Sequence, residues 1–239
     1  MFYFTYLLMG IILLPGIICA VIVQSRVTNA FKTYSKVPSI KGITAQDACK
    51  MLLQNAGITD VEIIRIKGSL TDHYNPKTKT LGLSEGVYNS TSISALGIAA
   101  HEAGHAIQHA ENYAPLKARK VFGTLSNICS NMLWPLIIIG IVVSAFSSSG
   151  TAFGDIFLWG GVVFFGISVI FSLATLPVEF NASKRALANL TDGGILDTTE
   201  VKGAKVVLNA AAQTYVAALV VSILSFLRFV LAIVVSRDN

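Results

Sequence analysis

His101-Glu102-Ala103-Gly104-His105 sets two imidazoles four positions apart, with a carboxylate next to the first. On a helix, residues four apart share one face, with Cβ atoms about 5–6 Å apart. Two imidazoles so placed can both approach one Zn2+ at about 2.0–2.1 Å. Glu102 then lies beside the metal rather than on it, where it can accept a proton from an attacking water. With four His and six Glu in 239 residues, the pattern arises by accident in roughly 1 of 600 shuffled chains. Two solvated histidines on a helix surface are the plain alternative. The flanking Ile98-Ala99-Ala100 and Ala106-Ile107 argue instead for a buried helix, and buried polar groups need partners.

A catalytic zinc keeps three protein ligands and one open position, so one more donor is required. His109 follows His105 by four residues, but on a continuous helix it stands about 12 Å along the axis from His101, too far to share an ion. The acids downstream are Glu111, Asp155, Glu179, Asp192, Asp197, Glu200 and Asp238. Glu111 comes where the helix should be ending, Asp155 falls in a loop expected across the membrane, and Asp238 adjoins Arg237 near the terminus. Glu179 is the first acid after the third apolar run returns the chain to the motif's side. It lies in Pro177-Val178-Glu179-Phe180-Asn181-Ala182-Ser183, read as a helix start after proline, and Ser183 one turn on can hydrogen-bond a ligand. An acid serving only a helix N-terminus is the ordinary alternative; beside the histidine pair, Glu179 is the better third ligand. The rival is Asp192, since intramembrane proteases of the site-2 type use an aspartate before glycine. Their motif helix is itself a span, whereas polar Ser84 to Ser94 precede this one, and Asp192-Gly193-Gly194 reads as a turn.

Several elements must hold these residues. Thr44, with Asp47 three residues on, is a capping-box variant for a helix over Ala45 to Ala56, and Gly57 stands where that helix should stop. Val61 to Ile66 alternates like a strand. Leu70 to Tyr74 and Thr80 to Leu83 flank the hairpin loop Asn75 to Lys79, so a small antiparallel sheet of about three strands is expected. Ser90, Thr91 and Ser92 offer caps for a long helix through about His109.

The composition is 53% hydrophobic and 13% charged, about half the charge of a soluble domain. The surplus falls in uncharged runs: Phe2 to Val23, Leu125 to Phe146 with Pro135 inside, and Ile156 to Leu176. Each approaches the roughly 20 residues that cross a bilayer. Val206 to Val235 is a fourth apolar stretch, interrupted by Asn209, Gln213 and Arg228; Arg228 should face protein or snorkel to an interface. No Lys or Arg precedes the first run, which favours a span over a cleaved signal peptide. Of 18 basic residues, 16 lie between Arg26 and Lys120 or between Lys184 and Lys205, and Ser147 to Asp155 has none. Positive charge marks the cytoplasmic side, so the N-terminus is expected outside and the polar chain, with the histidine motif, in the cytoplasm. The net charge of +5 then means anionic lipid nearby. No basic stripe with interleaved aromatics suggests nucleic acid. Cys19, Cys49 and Cys129 have no metal-type spacing and read as free thiols.

The chain resembles the YugP-like neutral zinc membrane peptidases. The resemblance covers nearly the whole sequence, through the leading span, Leu70-Thr71-Asp72-His73-Tyr74-Asn75-Pro76, Leu83-Ser84, Ala99 to Gln108 around the histidines, and Leu176 to Ser183. Glu179-Phe180-Asn181-Ala182 also resembles the segment of HtpX-type gluzincin peptidases whose glutamate is the third zinc ligand. The resemblance therefore implies Glu179 independently of the elimination above. Those relatives have Asp four residues after that Glu; Ser183 stands there here, so their carboxylate does not carry over.

Together these readings give a mainly helical α+β integral membrane protein: a zincin-like catalytic part with a small antiparallel sheet and three to four transmembrane helices, in one metallopeptidase domain over 1–239. Its parts are a first span at 2–23, a catalytic part at 24–120, spans at 125–146 and 156–176, a third-ligand region at 177–205, and an apolar C-terminal helix at 206–235. The expected activity is zinc-dependent endopeptidase cleavage of a protein or peptide at the cytoplasmic membrane face, with Glu102 as the base and His101, His105 and Glu179 as metal ligands. The strand near Thr80 to Ser84 is a candidate to pair with an extended substrate. The oxyanion donor is open among His73, Tyr74, Tyr88 and Arg185. Membrane partner proteins or a second copy of the chain are compatible associates. A catalytically silent zinc scaffold or adaptor is the alternative from another class, against which Glu102 argues, because a structural site needs no base. A transporter is disfavoured, since no span carries an acid or a paired charge.

Overall fold

In the computed structural model, the described residues are 6–146 and 150–237. They fall into two compact units, each built from separated stretches of chain. One comprises Met1–Ile22, Lys117–Thr175 and Tyr215–Asn239; the other comprises Val23–Leu116 and Leu176–Thr214 and contains the histidine motif.

The motif-bearing unit begins in the latter part of α1 (Leu14–Tyr34). In α2 (Ala45–Asn55), Thr44 caps the first turn by accepting from the Asp47 N–H, and Ala45, Ala48, Cys49, Leu52 and Leu53 form one buried face. Gly57 follows in the left-handed region at φ +70°, where a side chain would be strained. The three strands are β1 (Glu62–Ile66), β2 (His73–Asn75) and β3 (Thr80–Ser84).

The sheet is mixed, in the order β1-β3-β2. β2 pairs antiparallel with β3 as expected, but β1 runs parallel to β3, Glu62 opposite Thr80 through Ile66 opposite Ser84. The wholly antiparallel sheet is thereby corrected. Burial explains the order: Leu81 and Leu83 are fully buried, so β3 takes the middle, while β1, with Glu62 and Arg65 exposed, and the short polar β2 take the edges. The suggestion that Thr80 to Ser84 pairs with substrate is also overturned, because both edges of β3 are already occupied.

A single-turn helix, α3 (Glu85–Tyr88), not foreseen, leads to α4 (Ile93–Ala110), whose cap Ser92 accepts from the Ala95 N–H. An extended segment is pinned to this start: Ile93 N–H donates to Val37 O at 2.9 Å and Ser39 N–H to Thr91 O at 2.8 Å. α4 buries Leu96 and five alanines, Ala95, Ala99, Ala100, Ala103 and Ala106, and the alanines let other helices approach closely.

α5 spans Ala114–Phe146, α6 spans Gly150–Asp192 and α7 spans Glu200–Arg237. α6 does not begin after Pro177; it runs through it. Proline removes one backbone hydrogen bond at that point and its ring crowds the preceding turn, but Val178, Ala182, Ala186 and Leu190 beyond it are fully buried, so packing holds the helix together. α6 ends at Asp192, and Gly194 turns the chain at φ +61°. Asp197 then caps α7, its Oδ1 accepting from the N–H groups of Thr199 and Glu200, both at 2.7 Å. Glu200 is buried and accepts from Ile40 N–H at 2.7 Å and Asp197 N–H at 2.9 Å. Gln213, one of the polar interruptions in the last apolar stretch, accepts from Arg26 at 3.4 Å.

The other unit is made of helix segments alone among the described residues. Leu7, Ile11, Leu14, Ile18 and Val21 leave a continuous apolar face open, a surface suited to lipid contact. Arg228 faces protein: its Nε and Nη2 donate to the Tyr6 carbonyl at 3.0 and 2.8 Å, and its guanidinium lies 3.8 Å from the centre of the Tyr6 ring. Among the described residues three helices, Tyr6–Tyr34, Leu158–Asp192 and Glu200–Val235, are long and apolar enough to cross a membrane. The expected span 125–146 is helical within α5, although several of its side chains lie outside the described residues. Of the expected loop Ser147 to Asp155, residues 147–149 lie outside the described residues and the remainder belongs to α6. Residues 2–5 and Asp238 also lie outside them.

Candidate metal centre

One turn of α4 puts the rings of His101 and His105 4.7 Å apart, centroid to centroid, and nearly perpendicular. α6 presents Glu179 between them: its Oε2 is 3.2 Å from His101 Nε2 and 3.6 Å from His105 Nε2. One donor atom from each of the three lies within 4.8 Å of the others. The Glu179 side chain is 2% exposed and each imidazole 13%.

Two backbones must meet for this to happen. A Cβ built on Gly104 would stand 2.9 Å from the Ala182 carbonyl oxygen. Glu179, Ala182, Ser183 and Ala186 lie along the buried stripe of α6, the i, i+3, i+4, i+7 spacing of one helix face.

The buried carboxylate calls for positive charge. Burial alone would push His105 below its ordinary value of 6.5, but the Glu179 carboxylate 3.6 Å from its Nε2 and the charge of Glu102 outweigh burial and raise it. Two imidazole nitrogens and one carboxylate oxygen, converging with one side open, fit the donor set of a zinc site.

Both imidazoles are held from behind. Ser183 Oγ lies 3.2 Å from His101 Nδ1, the contact its spacing suggested. Gln108 Oε1 lies 3.0 Å from His105 Nδ1; sequence reasoning assigned Gln108 no role. It is fully buried and donates to Val178 O and Asn181 Oδ1, each at 2.9 Å. A long polar side chain three residues after a motif histidine, on a largely buried helix, was the available signal.

Glu102, next to His101 in α4, is part-buried and takes no hydrogen bond among the described residues, so its carboxylate is open to solvent or substrate. Its charge is felt at His105. Cys49, below α4, donates to Ala99 O at 3.0 Å, and burial pushes its thiol far up; it is no nucleophile.

The remaining candidates lie elsewhere. His109 pairs through Nδ1 with Tyr74 OH at 2.9 Å and is not in the cluster. Asp192 ends α6, 13 residues beyond Glu179, about 20 Å along the axis, which removes it as a ligand to the same ion. His73 is exposed and bonds Thr71 O at 2.9 Å through Nδ1. Tyr88 ends α3 and is part-buried. Arg185 donates to Asn181 Oδ1 at 2.8 Å and pairs with Glu111 at 2.7 Å. That guanidinium holds the Glu111 carboxyl below its usual range.

Comparison with known proteins agrees with this chemistry. The family described as "Putative neutral zinc metallopeptidase" matches residues 9–234. "Putative membrane protease YugP" of Bacillus subtilis (strain 168) is 40% identical over 217 residues, covering 90% of this chain and 92% of that protein. No solved structure matches significantly. With a match over almost its full length and a buried donor set suited to zinc, the chain belongs to the neutral zinc metallopeptidase family.

Proposed function

We propose that this protein is a multi-pass membrane endopeptidase that hydrolyses peptide bonds of protein substrates at the cytoplasmic face. The observation that carries the reading is the convergence of His101, His105 and Glu179, one donor atom each within 4.8 Å, with Glu102 beside them on the same helix.

In this reading His101 Nε2, His105 Nε2 and Glu179 hold the zinc and leave a fourth position free. Zinc, when bound, polarises the scissile carbonyl and brings the pKa of water to about 7. Glu102 takes the proton of the attacking water and passes it to the departing amine nitrogen, so no covalent enzyme intermediate is needed. Ser183 and Gln108 keep the imidazoles aimed while this happens. An extended substrate would add at the outer edge of β2, the edge strand that packs against α4, with main-chain hydrogen bonds supplying register. The cytoplasmic placement rests on the distribution of basic residues around the spans.

The test is Glu102→Gln in the full chain, purified in detergent. Retained zinc with loss of cleavage of an unfolded protein substrate supports the reading. A wild type that holds zinc and cleaves no unfolded or membrane-embedded substrate would replace it with a zinc-binding scaffold.

A further inference from the structure

We propose that Gln108 is a positioning residue that fixes which ring nitrogen His105 offers to the metal; this rests on the metal reading above. The geometry is a hydrogen-bond chain whose two ends have no choice of role. At one end the Val178 carbonyl can only accept, and Gln108 Nε2 lies 2.9 Å from it. At the other, Arg185 Nε can only donate and lies 2.8 Å from Asn181 Oδ1, so the Asn181 atom facing it is oxygen. That same oxygen is 2.9 Å from Gln108 Nε2.

Both neighbours of that end of the Gln108 amide are therefore acceptors, and the end must be the NH2. The carbonyl end, Oε1, then faces His105 Nδ1 at 3.0 Å, and an oxygen with no proton requires one on Nδ1. In a neutral imidazole this leaves the lone pair on Nε2, the atom that faces Glu179. Gln108 is fully buried, so turning its amide over would set its oxygen against two acceptors, Val178 O and Asn181 Oδ1, with no water to repair them.

At His101 the Nδ1 side carries no such constraint. Its Nδ1 faces Ser183 Oγ, and a hydroxyl can rotate to donate or to accept. The two ligands of one helical turn are thus held differently, one by an amide of fixed polarity and one by an adaptable hydroxyl. Arg185 extends the fixed side outward, because its other nitrogen pairs with Glu111 at the end of α4.

The experiment uses the full-length protein in detergent with Gln108→Met, which keeps bulk but is at most a weak acceptor, and Gln108→Glu, whose buried carboxyl, when protonated, keeps an oxygen towards Nδ1 and a donor towards Val178 O. Zinc affinity is read by chelator competition. The histidine tautomers of the zinc-free protein are read from ring 15N shifts well above the imidazole titration. The expected result is an Nδ1–H tautomer at His105 in the wild type and in Gln108→Glu. Gln108→Met should revert to the Nε2–H tautomer that free histidine favours and bind zinc about 10–100-fold more weakly, with His101 unchanged. A Gln108→Met protein that matches wild type in tautomer and affinity overturns the proposal. So does a folded Gln108→Glu that fails as Gln108→Met does, since volume rather than acceptance would then be at issue. If Gln108→Met does not fold, an Nε2–H signal at His105 in Gln108→Glu overturns it alone. A wild type without zinc would overturn the metal reading and this proposal with it, whereas an indifferent Gln108→Met in a zinc-holding protein overturns only this one.

Discussion

Gly104 lies against Ala182 so closely that one added methyl would stand 2.9 Å from the Ala182 carbonyl oxygen. The contact brings α6 near enough for Glu179 to reach the imidazoles that flank Gly104 in the motif. The glycine between the histidines therefore sets the distance between two helices.

Gly104→Ala should separate α4 from α6 by a few tenths of an ångström or more. Overpacking of this kind costs about 1–3 kcal/mol. Zinc affinity should fall about tenfold or more, as when a supporting contact to a metal ligand is lost. Thermal melting and chelator competition on the same preparation measure both. Unchanged zinc affinity would mean that α6 does not need this approach.

Glu179→Ala removes the only carboxylate of the three-residue group. The purified variant should lose stoichiometric zinc by elemental analysis, while wild type and Glu102→Gln retain it. Asp192→Ala is the matched control and should keep its zinc.

Acid should strip the metal earlier than an ordinary histidine pair would suggest. The His105 pKa is raised above 6.5 in the zinc-free fold, so protons compete with zinc already at the upper end of the imidazole range. Zinc dissociation constants measured from pH 9 downwards should begin to rise above pH 6.5. Zinc-free protein should behave oppositely. A raised folded pKa contributes stability that is fully present below about 6.5 and disappears as pH climbs through the folded value. Its melting temperature should therefore drop from pH 6 towards pH 8.

Glu200→Ala should destabilise the motif-bearing unit without touching the cluster. Glu200 is buried and accepts from the N–H groups of Ile40 and Asp197. Losing it should cost about 2–3 kcal/mol, with the Ile40 N–H left unpaired. Urea melting of the zinc-free protein should show this loss.

Much of this arrangement could be read from the residues. The caps at Thr44 and Ser92 and the helix over His101 and His105 follow from short-range spacing, whereas Glu179 was reached by elimination among the downstream acids and by resemblance, with Ser183 one turn beyond it. Other features depend on what packs where. Nothing local in Glu62 to Ile66 says that it will run parallel to β3; that follows from Leu81 and Leu83 needing cover on both sides. Pro177 looks like a helix start because its missing N–H is harmless there, yet the buried residues after it keep α6 continuous. Gln108 was invisible as a support for His105 because its partners, Val178 and Asn181, lie about 70 residues away.

The hydroxyl of Ser183 has an electrical consequence. Where a carboxylate would place a full negative charge behind His101, this chain offers a neutral dipole, and Glu179 is the one anionic member of the donor set. A dication held there would be only half neutralised by its ligands. The surplus strengthens its pull on a carbonyl oxygen and favours inhibitors that bring their own anion, such as hydroxamates and phosphonates, over neutral ones of the same shape.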